Sequence, residues 1–405
     1  MSRGQPCAGP SVGHNILRFH DKLASCAGYI SADCYQNNIK PRKIFRGFHH
    51  PGIARACALT IGNFDGVHRG HQAMLALLNS EAAQRGVESC VLTFEPHPRD
   101  YFAGVHRKPD LAPARIGTLR DKLTELNRCG VQQTIVLPFD ARLAAQSPQA
   151  FIDEVLVRGL GARYVLVGDD FRFGAQRAGD YAMLDAAGPA HGFDVARMNS
   201  YEISAPQARP GSSGPGLRVS SSAVRQALAA GDMQGATRLL GRPYAISGHV
   251  VHGRKLGRAL GASSAEAGDG FRTLNLRFAH WKPAASGIFA VLVHGLSDAP
   301  LPGVANLGVR PSLDPHDVNG GRVLLETHCL TWPADLGPEG AYGKIVRVEL
   351  LHKLHDELKY DSLDALTAGI AKDCADARAY FASAHALTLT SLHTETRRQT
   401  TRDRI

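Results

Sequence analysis

No apolar run in the 405-residue chain approaches the ~18 residues that span a bilayer; the longest, such as Gly287 to Val293, fall far short. No membrane partner is therefore expected. The eight cysteines, Cys7, Cys26, Cys34, Cys57, Cys90, Cys129, Cys329 and Cys374, include no Cys-x-x-Cys pair and no zinc-like spacing to histidine. That excludes a zinc fold and a disulfide scaffold. No apolar stretch with a cleavage site near the N-terminus marks secretion, so reduced thiols and a cytoplasmic location are the expectation. Aromatic residues make up 7%, charged residues 20% and hydrophobic residues 44%, a balance that excludes collagen-like, coiled-coil and wholly disordered chains. Charge of one sign is also scarce where it would matter. The net charge is +9, but residues 1–50 carry seven Lys/Arg against Asp21 and Asp33, and residues 391–405 carry four Arg against Glu395 and Asp403. Only about +2 is left for the middle. A groove-binding protein carries its basic stripe on the folded body, so no nucleic-acid partner is expected.

What is present is length enough for two or three domains, each with its own core. Residues 1–43 show no periodicity and are expected to be a disordered extension; Asp21, Asp33 and the lack of an amphipathic run argue against a transit peptide. From Ala58 a regular alternation begins. A strand Ala58–Ile61 leads through a glycine-rich turn to a helix from about Gln72 to Arg85, closed by Gly86. Strands Ser89–Phe94, Thr134–Leu137 and Tyr164–Val167 follow, separated by helices around Leu119–Cys129 and from Pro148, with Ser147 as N-cap, to about Arg158. Strands alternating with helices predict an α/β, Rossmann-like doubly wound parallel sheet, with ligands beyond the carboxyl ends of its strands.

A Pro/Gly/Ser-rich loop at Ala205–Gly216 precedes a helical stretch from Ser221 to Leu240. Beyond Gly241 short strands take over: Ala245–His252, Thr273–Phe278, Gly287–Val293, Val323–Thr331 and Lys344–Leu351. They predict a small antiparallel β-barrel, then a helix over Leu363–Ala384. The boundaries are thus 1–43, 44–242, 243–385 and a disordered tail at 386–405.

The turn Gly62-Asn63-Phe64-Asp65-Gly66-Val67-His68-Arg69-Gly70-His71 joins the first strand to the first helix. At such a junction glycines admit close backbone approach, and the helix N-terminus offers free N–H groups and a positive dipole end. His68 and His71, three apart, can both face a triphosphate. Further blocks stand at other strand ends: Thr93-Phe94-Glu95-Pro96-His97-Pro98, Gly168-Asp169-Asp170-Phe171-Arg172-Phe173-Gly174, and Arg218 to Arg225 with the serines Ser220, Ser221 and Ser222. Taken singly, each has an ordinary alternative: a helix cap for the serines, a surface turn for His97, a solvated cation for Arg225, a structural or metal-binding pair for the histidines.

In the second half, Gly248 to Gly261 form a Gly- and Lys/Arg-rich loop after a strand. It can cradle phosphates through backbone N–H groups, though no Gly-Lys-Ser/Thr makes it a P-loop, and a basic surface hairpin is the alternative. Gly303-Val304-Ala305-Asn306-Leu307-Gly308-Val309-Arg310-Pro311-Ser312 and Leu325-Glu326-Thr327-His328 follow.

From about Phe45 to Tyr380, these blocks in this order, with Leu240-Gly241-Arg242-Pro243-Tyr244 at the junction, resemble the bifunctional bacterial riboflavin kinase/FMN adenylyltransferase family, also called FAD synthetases. The resemblance implies two transferase activities that use ATP and Mg²⁺, with riboflavin, FMN and FAD as substrates and products. In the first domain it implies ATP contacts at Gly62, Asn63, Phe64, Asp65, His68, His71, Ser220, Ser221, Ser222 and Arg225. His68 and His71 polarise the phosphates, and flavin lies near His97, Asp170 and Phe171. In the second domain it implies ATP contacts at Gly253, Lys255, Gly257, Arg258 and Gly261, flavin contacts at Asn306 and Arg310, and Glu326 as the general base for the ribityl 5′-hydroxyl. The family motif Gly-Phe-Pro-Thr-Ala-Asn-Leu is interrupted here. Phe271-Arg272-Thr273-Leu274-Asn275-Leu276 matches it after an insertion at 262–270, assigning Mg²⁺-ATP to Thr273 and Asn275. Two other functions stay open at this level: a nucleotidyltransferase whose kinase half the insertion impairs, and a non-catalytic flavin-binding regulator.

Overall fold

The computed structural model describes residues 43–203, 216–252, 273–278, 282–309, 323–337 and 339–402, with side chains through Ser383. Of the expected extension 1–43 all but Lys43 lies outside these residues, as do the insertion 262–270 and Gly253, Lys255, Gly257, Arg258, Gly261, Arg272 and Arg310.

Six parallel strands form the first sheet: β1 (Lys43–Arg46), β2 (Cys57–Ile61), β3 (Glu88–Glu95), β4 (Gln133–Pro138), β5 (Tyr164–Gly168) and β6 (Asp194–Met198). Their order is β1-β4-β3-β2-β5-β6. The chain thus winds one way from β2 to β3 and β4, and the other way from β5 to β6. The switch point lies between β2 and β5, where a doubly wound sheet opens its ligand crevice.

Both faces of the sheet are covered, which is why its inner strands β2 to β5 are buried along most of their length rather than alternating. On one face Ala58, Val91 and Leu166 pack with Leu75, Leu78 and Ala82 of α1 (Arg69–Arg85) and Leu126 of α3 (Leu119–Arg128). On the other, Leu59, Ile61, Leu92 and Val167 pack with Phe151, Ile152 and Leu156. The helix ends follow local chemistry. Gly86 caps α1 in the left-handed region, and Ser147 accepts from the Ala150 N–H ahead of Pro148. Thr118 and Asp121 exchange hydrogen bonds as a capping box.

Several expectations are corrected. Two edge strands, β1 and β6, join the four expected, so Lys43 belongs to the sheet rather than to the extension. The two prolines after β3 do not merely stop a strand: Pro98 opens α2 (Pro98–Val105), as its fixed φ permits at a first helical position. The single helix expected over Ser221–Leu240 is two, α7 (Ser221–Ala229) and α8 (Met233–Leu240). Gly231 at φ +74° and Asp232 as the next N-cap break it.

After a two-stranded ribbon of β7 (Glu202–Ile203) and β8 (Leu217–Arg218), the second half is a closed antiparallel barrel of six strands. Its strands are β9 (Tyr244–Val251), β10 (Thr273–Arg277), β11 (Gly287–His294), β12 (Leu301–Val309), β13 (Val323–Cys329) and β14 (Ile345–His355). Inside, Phe289, Val291, Leu307, Leu325 and Val348 share one core with Val224, Leu228 and Leu239 of α7 and α8, so these helices pack on the barrel. Outside, Ile288, Ala290 and Val304 are covered by Cys374 and Ala377 of the last helix. That helix runs from Leu363 to Arg402 instead of ending at Ala384, so 386–402 is helical backbone rather than a disordered tail. Among the described residues no helix is long and apolar enough to cross a membrane.

Candidate active sites

The turn after β2 is backbone under strain. Phe64, Gly66 and Val67 take φ values of +47°, +83° and +40°, and the left-handed region is a genuine outlier for a β-branched valine. Gly66 has no alternative, because a Cβ there would lie 2.9 Å from Ile116 Cγ2. The turn delivers His68 as N-cap of α1, its Nδ1 accepting from the His71 N–H at 3.3 Å. The two imidazoles stack with centroids 3.7 Å apart. Burial lowers the His68 pKa to about 4 against the opposing pull of Asp65, and pushes His71 well below its ordinary value, with His68 adding to the effect. Both rings are neutral at neutral pH and can donate one N–H each. Two buried atoms of this turn, Asn63 Oδ1 and His71 Nδ1, have no hydrogen-bond partner, which marks groups awaiting a ligand.

Helix α7 closes on this turn from far along the chain. Ser220 is its N-cap, accepting from the Ala223 N–H; Ser221 Oγ donates to the Asp65 carbonyl at 2.9 Å; Ser222 is exposed on the first turn. Arg225 Nη2 meets Asp65 Oδ2 at 2.6 Å and its Nε donates to the Ala114 carbonyl at 2.6 Å. Gly62, Asn63, Phe64, Asp65, His68, His71 and the serine block are thus one locus. The Thr93 hydroxyl, donating to the Asn63 carbonyl at 3.3 Å, ties the end of β3 to it.

His97 caps α2, its Nδ1 accepting from the Arg99 N–H. It is nearly buried, and burial followed by the Arg115 charge lowers its pKa to about 3. Asp170 and Phe171 stand at the end of β5, next to β2. Asp170 is exposed, and Phe171 stacks on Phe173 at 5.5 Å against the core.

Three charged residues of this locus, Arg115, Lys122 and Asp100, carry no motif that marks them in the sequence. Arg115, only 1% exposed, lies 2.7 Å from Asp100 Oδ2, 3.7 Å from Glu95 Oε2 and 3.8 Å from Asp65 Oδ1. Lys122 Nζ sits 3.4 Å from Thr93 Oγ1 and 4.0 Å from Glu95 Oε2. Burial, then the Arg115 charge, lowers its pKa to about 8. Asp65, Glu95 and Asp100 therefore face Arg115, Lys122 and Arg225. Removing one member leaves an uncompensated buried charge, at a cost of about 3–5 kcal/mol. Arg115 Nε and Nη2 have no hydrogen-bond partner, so donors remain for an incoming anion.

The barrel presents a second set. Asn275 of β10 pairs across the sheet with Glu326 of β13, and Glu326 pairs with Asn306 of β12. The three form one row on three neighbouring strands. Thr273 pairs with His328 in the next row along the same face. Asn275 is buried, Glu326 and Asn306 are half-buried, and Asn306 Oδ1 lacks a hydrogen-bond partner. This face lies outside the barrel, since the alternating Leu325 and Thr327 point inward. The donors are amide, hydroxyl and carboxylate oxygens, a set that suits Mg²⁺. Among the described residues no group of three His, Cys, Asp or Glu is placed to hold a metal ion.

Comparison with known proteins places a name on each half. Residues 50–208 match the family model described as FAD synthetase, and residues 240–381 match riboflavin kinase. The bifunctional riboflavin kinase/FMN adenylyltransferase of Escherichia coli K12 is 43% identical over 341 residues, covering 84% of this chain and 98% of the relative. The enzymes of that name from Haemophilus influenzae and Pseudomonas fluorescens are 40% and 41% identical, covering 84% and 85% of this chain and 100% and 99% of their own. A crystal structure described as a macrolide-efflux protein from Streptococcus pneumoniae superposes with a TM-score of 0.59 over 83% of this chain and 98% of that one. At 24% identity that likeness is one of fold.

Proposed function

This chain belongs to the bifunctional riboflavin kinase/FMN adenylyltransferase family, and from that premise we propose how its residues divide the two reactions. The chain phosphorylates riboflavin to FMN and adenylylates FMN to FAD. The observation that carries the division is that unpartnered buried polar atoms lie in two separate places, Asn63 Oδ1, His71 Nδ1 and two Arg115 nitrogens beside the turn after β2, and Asn306 Oδ1 on the outer face of the barrel next to Glu326.

In adenylyl transfer the FMN phosphate oxygen attacks the ATP α-phosphorus, and the bond to the β-phosphate breaks to release pyrophosphate. No protein nucleophile is needed; positioning and charge stabilisation suffice. His68 and His71 donate N–H groups to the phosphates from the start of α1, while Ser220, Ser221, Ser222 and Arg225 hold the triphosphate. Arg115 and Lys122 supply the buried positive charge that the sequence reading left out. Gly62, Asn63, Phe64 and Asp65 shape the nucleotide pocket, and His97, Asp170 and Phe171 face the flavin.

In the kinase, Glu326 takes the proton of the ribityl 5′-hydroxyl as that oxygen attacks the γ-phosphorus and the bond to the β-phosphate oxygen breaks to release ADP. Asn306, with Arg310, orients the flavin. Thr273 and Asn275 offer oxygen donors to Mg²⁺, which when bound neutralises phosphate charge. Gly253, Lys255, Gly257, Arg258 and Gly261 are assigned to the ATP phosphates. The chain acts in the cytoplasm, where buried thiols such as Cys57 and Cys90 stay reduced. The test is supplying riboflavin or FMN with ATP and Mg²⁺. The proposal expects FMN then FAD from the first, and FAD with pyrophosphate from the second.

A further inference from the structure

Arg242 lies in the short link between α8, which ends at Leu240, and β9, which begins at Tyr244. Gly241 takes φ +75° and ends α8, turning the chain so that the Arg242 side chain reaches back to the first domain. Its Nη2 donates to the Gly66 carbonyl at 2.7 Å, and its Nη1 to the carbonyls of Val67 and Leu240, each at 3.1 Å. Its Nε lies 3.1 Å from Glu125 Oε2. Gln72 Nε2 supports the same two carbonyls, Val67 at 2.9 Å and Leu240 at 2.7 Å.

Gly66 and Val67 are two of the left-handed residues in the turn, and His68 follows directly. A valine holds such a φ only where its surroundings over-determine it. Here five hydrogen bonds on the carbonyls of Gly66, Val67 and Leu240 come from one guanidinium and one carboxamide acting together, and the guanidinium also holds the Glu125 pair. Arg242 stands where the match to riboflavin kinase begins, at residue 240, yet its side chain serves the turn after β2.

We infer that Arg242 is a positioning residue for adenylyl transfer: by binding the Gly66 and Val67 carbonyls it fixes the strained turn that aims His68 and His71. This rests on the reading that those histidines act in FAD formation. A planar guanidinium can meet three carbonyls and a carboxylate at once, whereas an ammonium cannot hold that fork. The link between the two halves therefore supplies a structural clamp to the adenylyltransferase site, independent of any flow of product between the two sites.

The experiment compares Arg242→Gln, Arg242→Lys and His71→Ala in the full chain, measuring FAD formation from FMN and FMN formation from riboflavin on each preparation. Arg242→Gln lowers kcat for FAD formation on the order of 10²-fold, the scale of a small misplacement, with KM for ATP little changed and the kinase rate intact. Arg242→Lys recovers part of the loss. An undiminished FAD rate in Arg242→Gln, a loss confined to KM, or equal loss of both activities each overturns the proposal. His71→Ala separates the premise: FAD formation surviving in that variant overturns the reading of the histidines themselves.

Discussion

Arg225 and Asp65, 160 positions apart in sequence, meet at 2.6 Å with the carboxylate almost fully buried. The contact fastens the first turn of α7 to the turn after β2, so the two blocks assigned to the ATP phosphates are one rigid surface. The same guanidinium also donates to the Ala114 carbonyl. Arg225→Lys keeps the charge and loses the second donor geometry. Its expected effect is a rise of roughly tenfold in KM for ATP in FAD formation, about the 1.4 kcal/mol of one charge-assisted hydrogen bond. FMN formation, measured in the same preparation, is unchanged.

Lys122 gives a pH dependence with a definite sign. Its pKa is lowered to about 8, so the amine is charged below that pH and neutral above it. Only the charged form neutralises phosphate. The account predicts that kcat/KM for ATP in FAD formation falls about tenfold per unit as pH rises beyond ~8. In Lys122→Arg, where the cation cannot deprotonate, that alkaline limb disappears. A limb that persists unchanged in the arginine variant removes Lys122 from the site.

His97 makes the opposite prediction, for stability. Its pKa falls from 6.5 unfolded to about 3 folded, so the unfolded chain binds the extra proton as pH drops below 6.5. Stability is fully present above that pH and is lost as pH falls toward 3. Between pH 7.0 and 5.5 this one group accounts for about 1.3 kcal/mol. Urea unfolding of His97→Gln shows a correspondingly smaller loss across that interval than the parent chain. An identical pH dependence in the two shows that His97 is not held neutral by the fold.

The sheet and the phosphate turn were legible because their determinants are local. An apolar strand, glycines and a helix start lie within Ala58–Arg85, and the stop at Gly86 needs only one residue's φ. Edge strands were not, since Lys43–Arg46 alternates half-buried and exposed positions and carries no apolar run. The buried charges escaped for a different reason. Arg115 sits in a loop, and Lys122 looks like any helix cation until its face is noted: it shares a buried stripe with Glu125 and Leu126, three and four residues on. A lysine on such a stripe was the available signal. In the barrel, Glu326 and Asn306 could be named from their motifs, but the row they form with Asn275 depends on strand register, which pairing across the closed barrel sets.

Glu326 is the sharpest point of the second site. Glu326→Gln keeps its size and removes the base, so FMN formation from riboflavin should fall by 10²–10⁴-fold, the usual worth of a positioned proton acceptor. FAD formation from supplied FMN should continue at the parent rate.

The central claim is that one chain carries two independent sites, and chromatography of flavins tests it directly. Riboflavin, ATP and Mg²⁺ are incubated with the parent chain, His71→Ala and Glu326→Ala, and FMN and FAD are followed over time; a parallel set starts from FMN. The account predicts FMN then FAD from the parent, FMN that accumulates without FAD from His71→Ala, and no product from riboflavin but FAD from FMN with Glu326→Ala. Loss of FMN formation in His71→Ala, loss of FAD formation from supplied FMN in Glu326→Ala, or FAD formation that survives His71→Ala, contradicts it.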